Sequence, residues 1–577
     1  MTLNIKRRTF FASAVAALPA AGLLTACGGG DGEATPVTTP PTPVVVDAED
    51  TALKFDAASY TTVNVTVDGV ALKLRQYRIV YVAKPIRMAS TQATLMGTTT
   101  TLADPFAYQT MIVSVAEALA TDQTRPIYMV VNNGGWFTSA VSTSILESAT
   151  FVSTSNTDAL GAALKAGYVV VNVGTRSRGA RAQDGRWAGK APAPVVDTKA
   201  AIRYLRLNDT SMPGATSRII LTGISGGGGL TSAVAASGNS ADYLPFLADI
   251  GAAGVVGSGA TATSSLKDDV FAAVAYCPIN NLGNADAGYE WEYSAIRNDI
   301  NTPALNGIAY SAGPQAAASA AIAATFPAYL NGLGLSRDDG TALTDANLRE
   351  TTIAFIKKEI ESQITKGTAV PALGGNFAVT QRGATTMVPN DWLTLTGTGT
   401  SATVASIDYT KFLKFVTTPI TLKTVVAFDA VGVTGNPNIS GETNLFGSDF
   451  FTYSNFTKWS WTNNAVKGDG SGVDDTGLSW EAYLASSSIN LATQLKLINP
   501  LAYLNTAADS APYWYVRHGM VDRDTAFAMQ VLLYHAIKKD ASVKEVDFKL
   551  PYLVPHSGNY DVQEAFTWIK AKLAANP

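Results

Sequence analysis

Gly223-Ile224-Ser225-Gly226-Gly227 stands between an apolar, β-branched run at 217–222 and a stretch of small residues that continues to Ala236. That order spells strand, sharp turn and helix, with a serine at the apex, the arrangement called a nucleophile elbow. The flanking glycines allow a turn in which a Cβ would clash, and the Ser225 hydroxyl is left exposed above a sheet. Five residues of this kind also occur as a plain glycine turn. What separates the two readings is whether a base and an acid follow in the right order and place.

The chain around the elbow alternates between strand and helix patterns. Residues 61–67 and 70–82 read as a β-hairpin about Asp68-Gly69. The runs 127–132, 168–173, 218–222 and 271–277 are short apolar strands. A helical pattern at 197–207 has Asp197 placed to cap its start. Such alternation predicts a doubly wound, mainly parallel sheet, and with the elbow it specifies an α/β-hydrolase fold. The pattern stops near Pro278 and resumes near Pro512, with helical stretches at 315–330 and 346–364 between them and a Thr/Gly-rich region without period at 370–403. An excursion this long from a sheet is expected to be an inserted lid or cap domain rather than a loop. The expected division is therefore core at 51–280, lid at 281–505 and core again at 506–577, closed by a strand at 512–517, a helix at 525–538, a strand at 546–550 and a helix at 562–573.

In this fold the catalytic acid and base follow the serine in the order Ser, Asp or Glu, His. Only three histidines exist. His535 lies mid-helix among Leu532, Leu533 and Tyr534, as packing residues do, and His518 precedes the acid. His556, in the short loop Val554-Pro555-His556-Ser557-Gly558 after a strand, fits the base. Asp522 and Asp524 both follow the strand at 512–517; the turn Gly519-x-x-Asp522 assigns the acid to Asp522, with Asp524 the alternative. The oxyanion needs two backbone N–H groups. Gly226, directly after the serine, supplies one, and Gly134 or Gly135 in Asn132-Asn133-Gly134-Gly135-Trp136 supplies the other. Metal spacings such as His-x-x-x-His are missing, and Gly226 to Gly229 lack the Lys-Ser/Thr of a phosphate loop, so neither a metal nor another cofactor is implied.

The first residues read as an address. Lys6-Arg7-Arg8-Thr9-Phe10-Phe11 is a basic region of twin-arginine type, followed by an apolar run at 12–24 that is too short for a spanning helix of about 20 residues. Leu24-Thr25-Ala26-Cys27 resembles a lipobox, so Cys27 is expected to become the lipidated N-terminus of an exported, membrane-anchored lipoprotein. Gly, Thr and Pro dominate the tether that follows, 28–50. That assignment leaves Cys277 without a disulfide partner, a core residue in a buried strand. A net charge of −4 without basic clusters argues against a nucleic-acid partner. The oligomeric state has no signature in the sequence.

From about Leu53 to the C-terminus the chain resembles the bacterial tannases, or tannin acyl hydrolases. The resemblance is carried by the entry hairpin Val65-Thr-Val-Asp-Gly69, the elbow, Tyr276-Cys-Pro-Ile-Asn-Asn-Leu282, Arg517-His-Gly519 with Asp522-Arg-Asp-Thr525, and Pro555-His-Ser-Gly-Asn-Tyr-Asp561. It implies a serine esterase acting on a small phenolic ester, with the ring of a galloyl group held by Lys423, Glu442 and Asp524. Ile224 and Ser557 exclude the cysteines that fungal tannases place beside their serine and histidine. Three other functions share parts of the pattern: an esterase for feruloyl or other aryl esters, a serine peptidase, and a catalytically silent binding protein of the same fold. A binding protein has no need of an intact Ser225, Asp522 and His556, and no propeller-like repeat of a peptidase precedes the sheet.

Overall fold

The computed structural model describes residues 48–94, 98–304, 310, 315–430, 441–464, 476–487 and 489–576. The export signal, Cys27 and nearly all of the tether lie outside the described residues. Ten strands form the central sheet: β1 (Thr61–Val67), β2 (Val70–Val80), β3 (Thr110–Ala116), β4 (Ile127–Val131), β5 (Thr150–Phe151), β6 (Val169–Val173), β7 (Ile219–Ile224), β8 (Ala272–Tyr276), β9 (Tyr513–Arg517) and β10 (Glu545–Lys549). Their spatial order is β10-β9-β8-β7-β4-β6-β3-β2-β1-β5. The run from β10 to β6 is parallel throughout, whereas β6, β3, β2 and β1 pair antiparallel. This is the mainly parallel, doubly wound sheet of an α/β-hydrolase.

The parallel strands are apolar on both faces because helices cover both. Along β4, Ile127, Met129 and Val131 enter one core, and Tyr128 enters a second core on the opposite face with Ile220, Val274 and Tyr515. The helices α1 (Ala193–Leu207), α2 (Gly226–Ala236) and α3 (Leu282–Tyr293) belong to the first face, and the closing helix Val562–Ala574 belongs to the second. The hairpin turn takes positive φ at both central residues, 52° at Asp68 and 76° at Gly69, which matches the right-handed twist of its strands.

Three expectations need correction. Asp197 caps nothing: α1 begins at Ala193, with Pro194 in its first turn, where a missing N–H costs no bond. Asp197 lies inside the helix, fully buried, and its carboxylate accepts from Arg176 Nη2 at 2.7 Å and from the Arg176 backbone N–H at 2.8 Å. The pattern at 315–330 is two helices, Gln315–Ala323 and Phe326–Gly332, with Pro327 in the first turn of the second. The aperiodic 370–403 region carries two antiparallel hairpins, Asn376–Gln381 with Ala384–Pro389 and Leu393–Thr396 with Thr403–Ile407. All these elements fall between β8 and β9, strands that lie side by side in the sheet, so the intervening polypeptide leaves the sheet and returns to the neighbouring position.

Candidate active site

Five parallel strands deliver their following loops to one edge of the sheet: the Asn133–Trp136 turn after β4, Ser225 after β7, Cys277 after β8, the 518–524 turn after β9 and the 551–561 loop after β10. Carboxyl ends of parallel strands are where such sheets gather ligands. Ser225 sits between β7 and α2 with φ 62° and ψ −123°. A non-glycine residue seldom takes this conformation, which persists only when its surroundings hold it. Here the Ser225 N–H donates to Tyr276 O at 3.0 Å, and Ser225 O accepts from Ile279 N–H at 3.1 Å and from Gly229 N–H at 2.9 Å.

His556 reaches Ser225 because two loops are zipped together. Met520 N–H donates to Pro551 O at 2.9 Å and Val521 N–H to Val554 O at 3.1 Å. A Cβ on Gly519 would stand 2.1 Å from Val554 O, so this close approach requires glycine. Asp561 pins the far end of the histidine loop by accepting from Tyr276 Oη at 2.7 Å and from Tyr515 Oη at 2.6 Å. The result is a continuous chain: Ser225 Oγ lies 2.8 Å from His556 Nε2, and His556 Nδ1 lies 2.8 Å from Asp522 Oδ2. The second Asp522 oxygen accepts from the Asp524 N–H at 2.8 Å. Asp524, the alternative acid, keeps its own carboxylate on Arg523, with Oδ2 3.8 Å from His556 Nδ1. Of the two carboxylates, it is Asp522 that stands in hydrogen-bond contact with the imidazole.

The electrostatics of the chain follow from this packing. Burial alone would raise the Asp522 pKa, but His556, His518 and the Asp524 N–H outweigh it and bring the value down to about 2. Burial alone would lower the pKa of His556; the Asp522 carboxylate reverses that and raises it well above the ordinary histidine value. His518 approaches the same Asp522 oxygen, with Nδ1 3.3 Å from Oδ2, and burial lowers its pKa. Cys277 is buried, as expected of a core residue, but it follows β8 rather than lying in it, and its Sγ stands 3.8 Å from His556 Nε2. Cys277, Asp522 and His556 offer ligand atoms within 4.8 Å of one another, a spacing a metal ion could use. In this arrangement Asp522 and Ser225 already engage both nitrogens of the His556 ring.

Gly226 opens α2 against the Asn133–Trp136 turn. A Cβ there would lie 2.1 Å from Trp136 N and 2.3 Å from Asn133 O, so no other residue fits. Within the turn, Trp136 N–H is spent on Asn133 O at 2.8 Å and Phe137 N–H on Gly134 O at 3.0 Å. The N–H groups of Gly134 and Gly135 are candidates for an oxyanion, and a Cβ on Gly134 would meet nothing within 4 Å.

The three residues assigned to ring recognition arrive by different bridges. Lys423 N–H donates to Tyr289 Oη at 3.2 Å, and the same hydroxyl donates to Arg523 O at 3.0 Å, which ties Lys423 to the Asp524 turn. Its Nζ lies 3.9 Å above the Phe428 ring, a cation–π distance. Glu442 pairs with Arg178, whose Nη1 is 3.0 Å from Oε1, and Arg178 in turn bridges Phe137 beside the glycine turn. The sequence assigns no role to Tyr289, which falls in a segment, Tyr289-Glu-Trp291, shared with the tannases, or to Arg178. Both bond to residues more than a hundred positions away, and no local pattern marks such partners.

The BD-FAE family model matches residues 116–311. No curated protein matches the chain by sequence. Among solved structures, a tannin acyl hydrolase in complex with ethyl gallate is 30% identical, with 90% of this chain and 98% of that one covered and a TM-score of 0.67. The native tannin acyl hydrolase from Lactobacillus plantarum is 30% identical over 90% of this chain and 99% of its own, at a TM-score of 0.66. The tannase of Fusobacterium nucleatum is 28% identical over the same shares, also at 0.66. Likeness over nearly the whole length of these structures, at this identity, means that the chain belongs to the bacterial tannase family and is a hydrolase of the α/β-hydrolase fold.

Proposed function

We propose that the protein is a serine esterase that cleaves galloyl esters through an acyl-enzyme. The observation that carries this reading is the unbroken hydrogen-bonded chain from Ser225 Oγ through His556 to Asp522. His556 Nε2 takes the Ser225 proton as Oγ bonds to the ester carbonyl carbon. The tetrahedral oxyanion is held by the N–H of Gly226 with that of Gly134 or Gly135. Collapse expels the alcohol, which receives the proton from His556, and a water then enters by the same route to release the acid. Asp522 keeps the proton on Nδ1 and stabilises the imidazolium.

Galloyl recognition is supported by two things: relatives solved with 3,4-dihydroxybenzoate and ethyl gallate, and the chemistry of Lys423, Glu442 and Asp524. Carboxylates accept hydrogen bonds from phenol hydroxyls, and an ammonium favours charge on a phenol oxygen. Rates for methyl gallate, methyl ferulate and p-nitrophenyl acetate, measured side by side on the purified body, test the reading. A preference for ferulate would make the enzyme a feruloyl or general aryl esterase instead.

The two carboxylates near His556 should part company in kinetics. Asp522→Asn is expected to lower kcat for every ester by about a thousandfold or more, because the wrong tautomer of His556 is then favoured. Asp524→Asn should weaken cleavage of phenolic esters far more than that of p-nitrophenyl acetate. Equal losses for both variants on both substrates would reverse these roles.

We further propose that Cys27 carries the lipid anchor. Mass spectrometry of protein from its native host should find an acylated Cys27 with nothing before it. Cys27→Ser should free the protein from membranes, since acyl chains would be its only anchor. A mature form that starts elsewhere would rule the anchor out.

A further inference from the structure

We infer that Arg178 is a specificity-determining residue of the same site, donating hydrogen bonds to the ring-hydroxyl oxygens of a phenolic acyl group. The inference rests on the galloyl-ester reading above. Arg178 is 6% exposed, yet its Nε and Nη1 have no hydrogen-bond partner among the described residues. Nη1 does lie 3.0 Å from Glu442 Oε1, as an ion pair, but outside hydrogen-bond alignment. Donors of a buried guanidinium seldom go without an acceptor, because the lost hydration is then uncompensated. An acceptor brought by a ligand resolves the deficit.

Its position supports that assignment. Arg178 O accepts from Thr138 N–H at 3.0 Å, its backbone bridges Phe137, and its guanidinium carbon is 5.1 Å from the centre of the Phe137 ring. Phe137 directly follows the turn that packs on Gly226, the residue after the serine. On the other side, Gly179 N–H donates to Asn444 Oδ1 at 2.6 Å, two residues beyond Glu442. Arg178 is therefore wedged between the turn assigned to the oxyanion and the segment assigned to the ring.

The chemistry of the pair is complementary to a phenol. A carboxylate only accepts and a guanidinium only donates, whereas a hydroxyl does both. A ring hydroxyl, or two neighbouring ones, can donate a hydrogen bond to Glu442 and accept one from Arg178. An unsubstituted ring offers neither. Arg178 thus turns a carboxylate that would accept from many donors into a site that demands a hydroxyl.

The test is the ratio of kcat/KM for methyl gallate to that for methyl benzoate in wild type, Arg178→Met and Arg178→Lys. In Arg178→Met the ratio should fall by at least about tenfold, mainly through a higher KM for methyl gallate, in line with the loss of charge-assisted hydrogen bonds. Arg178→Lys keeps a donor and should recover part of it. The same variants placed in Ser225→Ala should weaken binding of gallate in a calorimetric titration, a readout that needs no turnover and guards against a poorly folded Met variant. A ratio and a gallate affinity unchanged in Arg178→Lys and Arg178→Met overturn the inference alone. A wild type that does not discriminate between the two esters overturns the galloyl reading and the inference with it.

Discussion

Ser225→Ala is expected to lower ester turnover by at least about a thousandfold, and His556→Ala to do the same, while the fold is kept. The size follows from how the residues are linked. His556 Nε2 has one hydroxyl to deprotonate at 2.8 Å, and Asp522, on the far nitrogen, acts only through that imidazole. Removing either member leaves whatever the oxyanion donors and substrate binding supply by themselves. The fold should tolerate the change at Ser225 because alanine keeps the Cβ and the backbone bonds to Tyr276, Ile279 and Gly229 that hold the elbow. Circular dichroism and thermal midpoints of the variants check this, and a serine-directed phosphonate should label Ser225 in the wild type and not in Ser225→Ala. Near-wild-type kcat in Ser225→Ala would end the serine mechanism proposed for this chain.

Much of the fold is legible because its signals are local. The hairpin at Asp68-Gly69 depends on a two-residue turn, and β4, β6, β7 and β8 are apolar runs of five or six residues bounded by breakers. What stayed hidden depends on partners distant in sequence. Asp197 has the residue type and position of a helix cap, and only the Arg176 guanidinium, folded against it from the preceding loop, turns it into a buried ion pair. The first hairpin of the 370–403 region alternates exposed and buried from Asn376 to Gln381. Gln381 blurs that alternation, since its polar side chain is buried by donating to Val521 O across the molecule.

The candidate site divides in the same way. Ser225, Asp522 and His556 could be picked out because each follows a strand and their order along the chain is constrained by the fold. The structure brings those three into hydrogen-bond contact. His518, which that same ordering sets aside as the base, sits against Asp522, its Nδ1 3.3 Å from Oδ2. Cys277, expected in the core and buried there, also stands with its Sγ 3.8 Å from His556 Nε2. Neither contact follows from spacing; both arise where loops from neighbouring parallel strands converge.

Methyl gallate is expected to be cleaved at least about a thousandfold more efficiently than methyl benzoate, and Glu442→Ala should erase most of that ratio. A site built to hydrogen-bond a substrate hydroxyl rejects the analogue lacking it by a large factor, because its polar groups are left unpaired and dry. The groups concerned are already largely withdrawn from water. Side-chain exposure is 12% for Glu442 and 7% for Arg178, so a benzoate ring would seal both against an apolar face. Asp524 is more exposed, at 25%, so its loss should cost less than that of Glu442. The measurement is kcat/KM for both esters in wild type, Glu442→Ala and Asp524→Asn under one set of conditions. If wild type cleaves the two esters alike, the ring is not being read by its hydroxyls. The serine chemistry would stand on its own geometry, and the galloyl reading would give way to a general aryl esterase.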